Sequence, residues 1–288
     1  MAPNKISDPL KIMIPIMGAT GAGKSSFINM AIGTESRKVG HNIQSCTFEV
    51  AAVEVPPSKL QDIPLISNRK VYLVDTPGFD NTYHHDVEIL DKIATWLKES
   101  YKEFTICGVI YLHDISADRY TGTAKRNLQI FSKLCGDSDG VLDHVIIGLT
   151  KGSRIPSDEA LRREEGLKER QWGHMLSKGV EVYRVSEDGT EIHPIDLLRK
   201  IFQKHQEHLT LRIQEEMTIQ RKIVPQTDAG LEVRLTLEQI LTLYKKQSEY
   251  AETSADRKAI EKKIEILSNQ INTLEIPLSR RLRMLLGI

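Results

Sequence analysis

The sequence predicts an α/β fold with a doubly wound, mostly parallel sheet, followed by a C-terminal helical extension. Through the first two thirds of the 288-residue chain, short apolar runs of strand length alternate with segments of helical periodicity. This alternation is typical of parallel βαβ units with helices on both faces of the sheet. After about residue 205 the strand signals stop and helical spacing dominates. We therefore expect an α/β domain over residues 1–205 and a helical extension over residues 206–288.

The predicted strands are apolar runs that end in polar turns. They are expected at residues 10–17, 48–55, 71–74, 106–112, 145–149 and 180–185. The helices between them are expected at residues 24–32, 86–103, 123–134, 157–176 and 194–202. Pro15 lies within the first predicted strand and cannot donate a ladder hydrogen bond, so it predicts a strand end or a bulge.

The C-terminal extension is predicted to be a helical hairpin. Residues 205–223 have helical spacing, which Pro225 and Asp228-Ala-Gly230 are expected to interrupt. Two further helices are expected at about 231–250 and 255–275. Apolar residues in the second follow steps of four and three, which is typical of a coiled-coil seam. Packing of the two helices on each other is favoured over a long coiled coil.

Composition restricts the class of protein. Basic and acidic residues number 39 each, so the charge balance does not predict nucleic acid as a partner. The three cysteines are widely spaced and form no Cys-x-x-Cys pair, which is typical of reduced thiols in an intracellular protein. Since the N-terminal residues lack an apolar signal segment and no run is long enough to span a membrane, a cytoplasmic location is expected.

A glycine-rich loop between the first predicted strand and the first predicted helix is the strongest motif. Residues 18–25 read Gly-Ala-Thr-Gly-Ala-Gly-Lys-Ser and fit the P-loop pattern fully. The glycines let backbone N–H groups surround phosphates, and the following helix adds its positive end. Lys24 is expected to reach the β- and γ-phosphates, and Ser25 to ligate Mg²⁺. The predicted phosphate-binding residues are Gly18, Ala19, Thr20, Gly21, Ala22, Gly23, Lys24, Ser25 and Ser26.

Two further segments suit the metal ion and the γ-phosphate. Asp75-Thr-Pro-Gly78 follows a predicted strand directly, so Asp75 can hold Mg²⁺ through water and Gly78 can offer its N–H to the γ-phosphate. Thr47 lies in a polar stretch before the second strand, in the place of the switch hydroxyl that completes Mg²⁺ coordination; Ser45 is the alternative. The predicted metal ligands are Ser25, Thr47 and Asp75.

Recognition of the base is predicted at Thr150-Lys151-Gly-Ser153. Guanine-binding proteins carry [Asn/Thr]-Lys-x-Asp after a late strand, and Thr150 and Lys151 fit that pattern. Ser153 stands where the guanine-reading aspartate is expected, and its hydroxyl carries no charge. Because hydrogen bonds to charged groups are worth about 1.5–3 kcal/mol, guanine selectivity is expected to fall by about ten- to a hundredfold.

Hydrolysis is the least supported step. Phe79 follows Gly78, where small GTPases carry a glutamine that orients the attacking water, so slow intrinsic hydrolysis is expected unless another group contributes. The candidate groups are His41, His84, His113 and Arg119. Arg119 can act as an arginine finger across a dimer, and a surface ion pair is the alternative interpretation. The predicted catalytic residues are Lys24, Thr47, Gly78 and Arg119.

These motifs resemble those of the septin-like (paraseptin) GTPases, a group of TRAFAC-class P-loop GTPases. The group includes the immunity-associated nucleotide-binding GTPases and the plastid outer-envelope import receptors, and the chain looks most like certain fungal G-domain proteins. The resemblance covers about residues 10–205. It rests on residues 18–29, Gln44-Ser-Cys-Thr47, Asp75-Thr-Pro-Gly-Phe-Asp80, Tyr111–Ser116, Arg119-Tyr-Thr121 and Asn127-Leu-x-x-Phe131.

The resemblance implies a P-loop NTPase G domain that binds GTP or GDP with Mg²⁺. Thr47 looks like the switch I threonine and Asp75 like the switch II aspartate. Arg119 resembles the arginine that faces the partner's nucleotide in the immunity-associated relatives. Because relatives dimerise through their G-domain faces, a homodimer through that face is implied, and many relatives carry C-terminal helices that suit a protein partner.

The sequence therefore predicts a Mg²⁺-dependent GTPase switch with slow, dimer-assisted hydrolysis. A nucleotide-gated scaffold with little hydrolysis and a P-loop NTPase of relaxed base specificity, using GTP or ATP, are the alternatives. A P-loop kinase is less consistent, because the Thr47 and Asp75 segments suit a switch better than an acceptor pocket. The basic, apolar tail 277–288 is compatible with a membrane surface, but packing on the hairpin or on a partner is favoured.

Overall fold

The computed structural model describes most of the chain. The described residues are 11–34, 49–66, 69–79, 85–117, 120–186, 190–204, 209–251 and 253–280. Five residues singled out from the sequence lie outside these ranges, namely His41, Ser45, Thr47, His84 and Arg119. Their predicted roles stay predictions.

One sheet of seven strands forms the centre of the described α/β part. The strands are β1 (Lys11–Gly18), β2 (Ala51–Glu54), β3 (Lys70–Asp75), β4 (Phe104–Ile106), β5 (Val109–Asp114), β6 (Val145–Thr150) and β7 (Glu181–Arg184). Their order is β2-β3-β1-β5-β6-β7, and β4 also pairs with β1. Every pair is parallel except β2 with β3, which confirms the mostly parallel sheet. The carboxyl ends of β1, β3, β5 and β6 therefore meet at one edge, where such folds bind ligands.

Helices cover both faces of this sheet. They are α1 (Lys24–Ile32), α2 (Asp86–Ser100), α3 (Gly122–Cys135), α4 (Asp139–Leu142), α5 (Ser157–Arg170), α6 (Gly173–Ser177), α7 (Pro194–Lys204), α8 (Arg212–Gln214), α9 (Asp228–Glu249) and α10 (Ser254–Thr273). Alternate residues of β1 point to opposite faces: Ile14 packs in the cluster that contains α1 and α7, whereas Met13 packs in the cluster that contains α2 and α3. This two-sided burial explains why β1 is apolar at nearly every position.

Pro15 lies in the middle of β1 rather than at a strand end. At this point the neighbour of β1 changes from β4 to β5, since Met13 aligns with Ile106 and Ile16 with Ile110. Met13 and Ile16 are three residues apart on β1, whereas their partners Ile106 and Ile110 are four residues apart. The neighbouring segment therefore has one extra residue opposite Pro15. The expected bulge is thus in the partner segment, and it divides the predicted strand 106–112 into β4 and β5.

The predicted helix over residues 157–176 is also divided in two. Helix α5 ends at Arg170 and α6 begins at Gly173. Trp172 between them is buried, and its ring packs at 5.5 Å from the ring of His113. Burying this large side chain against the end of β5 requires the chain to turn, and Gly173 is a poor helix former. Tertiary packing therefore overrides the helical periodicity here.

Residues 205–223 are helical only in part, contrary to the expectation of one helix. Leu209 donates its N–H to Ile106 O at 2.8 Å and extends the edge of β4, so the helix starts at Arg212. One π-helical turn, Glu215–Ile219, follows α8. The Gln214 amide donates to Leu97 O at 3.0 Å, which attaches α8 to α2. Backbone hydrogen-bonding groups of this segment thus find partners in the α/β domain rather than within one continuous helix.

The hairpin of the C-terminal extension is formed by α9 and α10, which pack on each other. Helix α9 begins at Asp228, so the expected interruption at Asp228-Ala-Gly230 is wrong. Thr227 caps the helix, because its Oγ1 accepts the Gly230 N–H at 3.0 Å. Gly230 is required by packing: a Cβ there would lie 2.0 Å from Val224 O. Helix α9 also packs on α2 and α3, and a long coiled coil is not shown.

No helix in the described ranges is long and apolar enough to cross a membrane.

Candidate nucleotide-binding site

The glycine-rich loop joins β1 to α1 at the carboxyl edge of the sheet. Gly18, Gly21 and Gly23 have φ angles of 142°, 80° and 91°, which favour glycine. A Cβ on Gly18 would lie 2.4 Å from Leu112 O on β5, so the loop can turn there only with glycine. The first turn of α1 follows directly, and its N–H groups point into the loop. This arrangement binds phosphate in other proteins.

Lys24 folds back into the loop. Its Nζ donates to Gly18 O and to Ala19 O, both at 2.9 Å, and the residue is only 7% exposed. Burial lowers the pKa of Lys24 to about 8, although Asp75 acts in the opposite direction. An ammonium group held in this position faces the centre of the P-loop, where a phosphate oxygen would replace the carbonyls as its acceptor.

Ser25 and Asp75, two of the predicted Mg²⁺ ligands, lie in contact with each other. Ser25 Oγ donates to Asp75 Oδ2 at 2.9 Å, and Asp75 is fully buried at the end of β3. Both groups supply oxygen, the ligand atom that Mg²⁺ prefers. Within the described ranges no group of three or more His, Cys, Asp or Glu residues can hold a metal ion. The two oxygen donors fit a Mg²⁺ ion whose remaining ligands would be phosphates and water.

The segment after β3 lies on the P-loop. Thr20 Oγ1 donates to Gly78 O at 2.9 Å, and the Thr20 N–H donates to Phe79 O at 3.2 Å. Gly78 is so close that a Cβ would lie 2.7 Å from Lys24 Nζ. The structure thus brings Gly78 beside the lysine, and its role in reading the γ-phosphate stays a prediction. Phe79 is buried in the apolar cluster with Ile93, so its ring cannot orient water.

The segment that the sequence predicts to recognise the base is attached to the P-loop. Thr150 Oγ1 donates to Ala22 O at 2.8 Å, so its role is to connect β6 with the loop. Lys151 has a φ of 60° and pairs through Nζ with Asp114 Oδ2 at 2.5 Å. Ser153 is exposed in the 3-10 turn Gly152–Arg154. The structure therefore places all three residues at the site edge, with Ser153 open to solvent.

His113 is not part of the phosphate site. Its ring lies 5.7 Å from the ring of Tyr120 and packs on Trp172. Burial lowers the pKa of His113 to about 4, against the opposing effect of Asp114. A neutral ring enclosed by aromatic side chains serves packing, and the interpretation of His113 as a catalytic candidate loses support.

Sequence reasoning missed two residues of this site, Asp114 and Asn127. Burial raises the pKa of Asp114, but hydrogen bonds from Lys151 and Ser116 outweigh it and the pKa lies below its usual value. The Asp114 side chain, as a carboxylate, can therefore orient the ammonium group of Lys151. Asn127 Nδ2 donates to Phe79 O at 3.4 Å from α3. The string Asn127-Leu-x-x-Phe131, which is part of the motif resemblance, was the available signal, but it does not identify Phe79, 48 residues away, as the partner of Asn127.

Comparison with known proteins supports the fold. Residues 13–135 match the family model described as 50S ribosome-binding GTPase. None of the curated proteins compared with the chain matches it.

Two solved structures of Toc33 from Arabidopsis thaliana are similar to this fold. The complex of Toc33 with Mg²⁺ and GMPPNP has a TM-score of 0.51 at 15% identity, over 67% of this chain and 84% of that chain. The complex with GDP and Mg²⁺ has a TM-score of 0.51 at 16% identity, over 69% of this chain and 88% of that chain. With the family match, this likeness shows the fold of a P-loop GTPase domain, a mostly parallel α/β sheet with a helical C-terminal region.

Proposed function

We propose that this protein is a Mg²⁺-dependent GTP-binding switch that hydrolyses GTP slowly. The observation that carries the proposal is the convergence of Lys24, Ser25, Asp75 and Gly78, from two separate segments, around one P-loop. Toc33, which shares the fold, is solved with Mg²⁺ and either GDP or GMPPNP. The motif resemblance further supports an assignment near the septin-like GTPases, including the immunity-associated group.

Each residue has a distinct task in this proposal. The P-loop N–H groups and Lys24 bind the β- and γ-phosphates, and Ser25 and Asp75 hold the ion. When bound, Mg²⁺ would neutralise negative charge on the phosphates. Gly78 offers its N–H to the γ-phosphate, and Lys151 covers the base with its stem while Asp114 holds its ammonium. Because Phe79 cannot orient water, the chain alone leaves the attacking water poorly positioned.

The first test compares thermal unfolding with GTP, GDP, ATP and ADP, each with Mg²⁺. A ligand that binds only the folded state stabilises it by RT ln(1+[L]/Kd), so the ranking of shifts reports base preference. We expect the guanine nucleotides to give the larger shifts, and the Lys24→Ala variant to give none. Equal shifts for guanine and adenine nucleotides would instead support the NTPase of relaxed specificity.

A homodimer through the G-domain face is proposed to assist hydrolysis. The resemblance of Arg119 to the arginine of the immunity-associated relatives supports this step, although Arg119 lies outside the described residues. Turnover per molecule should rise with protein concentration, and Arg119→Ala should remove the rise while leaving GDP affinity intact. A rate per molecule that is independent of concentration and unchanged in the variant rejects the dimer mechanism.

A nucleotide-gated scaffold is the second candidate. It is favoured by the packing of α9 on α2 and α3, because α3 carries Asn127, which donates to Phe79 O in the segment that lies on the P-loop. Leu231, Leu235 and Leu243 of α9 are large and exposed, which suits a protein partner on the C-terminal helices. Turnover comparable with that of ordinary GTPases would reject this candidate.

A further inference from the structure

We propose that Thr20 latches the segment Gly78–Phe79 onto the P-loop and thereby favours the diphosphate over the triphosphate. The latch consists of two hydrogen bonds from Thr20, and Asn127 supports it from α3 as a positioning residue. This inference rests on the proposed function, since it concerns which guanine nucleotide the same site prefers.

The latch joins one residue of the P-loop to two consecutive carbonyls. Thr20 Oγ1 donates to Gly78 O at 2.9 Å, and Thr20 N–H donates to Phe79 O at 3.2 Å. A P-loop residue without a hydroxyl can make only the second of these bonds. Of the two bonds, the one from Oγ1 is thus the contribution of the threonine side chain.

The latched arrangement excludes a γ-phosphoryl group. A single Cβ added to Gly78 would lie 2.5 Å from Thr20 N and 2.7 Å from Lys24 Nζ, so the space does not admit even a methyl group. A triphosphate must therefore move Gly78 away and break the latch, because its γ-phosphate belongs between Gly78 and Lys24. The β-phosphate of a diphosphate sits within the loop and does not require this movement. If a ligand binds only a minor conformation, its apparent affinity is reduced in proportion to the fraction of molecules in that conformation.

Asn127 holds the other side of the latch. Phe79 O accepts from Asn127 Nδ2 at 3.4 Å as well as from Thr20. Asn127 is only 2% exposed, and its Oδ1 is buried without a hydrogen-bond partner among the described residues. Burying such a group is costly, and burial of this kind can indicate a strained, functional position. The adjacent Arg126 pairs with Asp86 at the start of α2, so α3 contacts the chain on both sides of residues 80–84.

The experiment measures the dissociation constants of GDP and of GMPPNP, both with Mg²⁺, by calorimetry. For the wild-type protein we expect the ratio Kd(GMPPNP)/Kd(GDP) to exceed one. Thr20→Val keeps the shape but removes the hydroxyl, so the ratio should fall by about two- to tenfold, the effect of one neutral hydrogen bond. Thr20→Ser keeps the hydroxyl and should leave the ratio near the wild-type value.

A second variant tests the latch away from the nucleotide. Asn127→Leu has similar size, removes the buried unpaired oxygen and should not lower the melting temperature. It should shift the ratio in the same direction as Thr20→Val.

The latch is overturned by a wild-type ratio below one, by an unchanged ratio in Thr20→Val, by an equal shift in Thr20→Ser, or by an unchanged ratio in Asn127→Leu. In each of these cases both nucleotides still bind and the proposed function stands, whereas failure of both to bind the wild-type protein overturns the function and the latch together.

Discussion

Ser25 Oγ donates to Asp75 Oδ2 at 2.9 Å, joining the first turn of α1 to the end of β3. Both ends of this contact are held by regular structure, since Asp75 aligns with Ile16 on β1 and is fully buried. The hydroxyl and the carboxylate thus need little rearrangement to share one ion. Such preorganisation reduces the entropic cost of binding.

Removing the Ser25 hydroxyl or the Asp75 charge should therefore abolish most of the effect of Mg²⁺ on nucleotide affinity. For Asp75→Asn and Ser25→Ala we expect the gain in affinity on adding Mg²⁺ to fall by about ten- to a hundredfold, the size of a lost bond to a charged group. Titrations of GDP with Mg²⁺ and with EDTA measure this gain. Asp62→Asn is the matched control, because Asp62 is exposed and pairs with Arg199. An unchanged gain in Asp75→Asn contradicts the assignment.

The affinity for nucleotide should decrease as the pH rises above about 8. Burial lowers the pKa of Lys24 to about 8, whereas bound phosphates favour the charged amine. Binding therefore takes up a proton near this pH, and affinity should fall by up to about tenfold per pH unit above it. Calorimetry in buffers of different ionisation enthalpy measures the number of protons taken up on nucleotide binding. A constant affinity between pH 7 and 9.5 would contradict this prediction.

The same lysine predicts the pH dependence of stability in the free protein. Its pKa is about 8 when folded and near 10.5 when unfolded, so the unfolded chain binds more protons between these values. The free energy of unfolding should therefore gain a rising contribution from pH 8 to 10.5. Lys24→Met should lack that contribution, which denaturant titrations of both proteins at each pH would show.

Introducing the missing carboxylate should sharpen guanine selectivity. Ser153 is exposed at the position of the guanine-reading aspartate, so Ser153→Asp meets no packing obstacle. We expect the ratio Kd(ATP)/Kd(GTP) to rise by about ten- to a hundredfold, because an ionised acceptor is worth about 1.5–3 kcal/mol. Ser153→Asn, which has similar size and no charge, is the control. If both variants change the ratio equally, the charge is not responsible.

The buried pair of Asp86 and Arg126 should be strongly coupled. Asp86 Oδ2 lies 3.4 Å from Arg126 Nη2, with the residues 1% and 4% exposed. Asp86→Ala leaves a buried guanidinium and should lower the free energy of unfolding by about 3–5 kcal/mol. The double variant Asp86→Leu with Arg126→Met should recover most of that loss. Urea unfolding of the single and double variants measures the coupling, and additive losses would contradict it.

Two glycine-to-alanine changes in helices should have opposite effects. A Cβ on Gly230 would lie 2.0 Å from Val224 O, so Gly230→Ala should destabilise the attachment of α9 by about 1–3 kcal/mol. Gly166 in α5 has open space around its Cβ position, so Gly166→Ala should stabilise the protein by about 0.5–1 kcal/mol. Thermal unfolding measures both. Equal effects at the two positions would contradict the packing role of Gly230.

Local patterns were sufficient for the parts of the fold and site that depend on near neighbours. The apolar run of β1, the glycines of the P-loop and the helix after Lys24 follow from short-range chemistry, because left-handed φ angles demand glycine and a helix end binds anions. The same holds for Asp75-Thr-Pro-Gly78, whose place after an apolar strand predicts its position at the sheet edge. The sequence likewise indicated the two C-terminal helices from their spacing alone.

Tertiary structure decided the features that depend on distant partners. The bulge opposite Pro15 and the division of α5 from α6 at Trp172 both follow from packing between segments that periodicity cannot relate. The contacts of Thr20 with Gly78 and of Asn127 with Phe79 span 58 and 48 residues, and no local pattern encodes them. The sequence alone therefore determined which residues are predicted to form the phosphate site. Only the folded chain decided how that site is closed and what holds it, because those contacts exist only once the strands have brought their ends together.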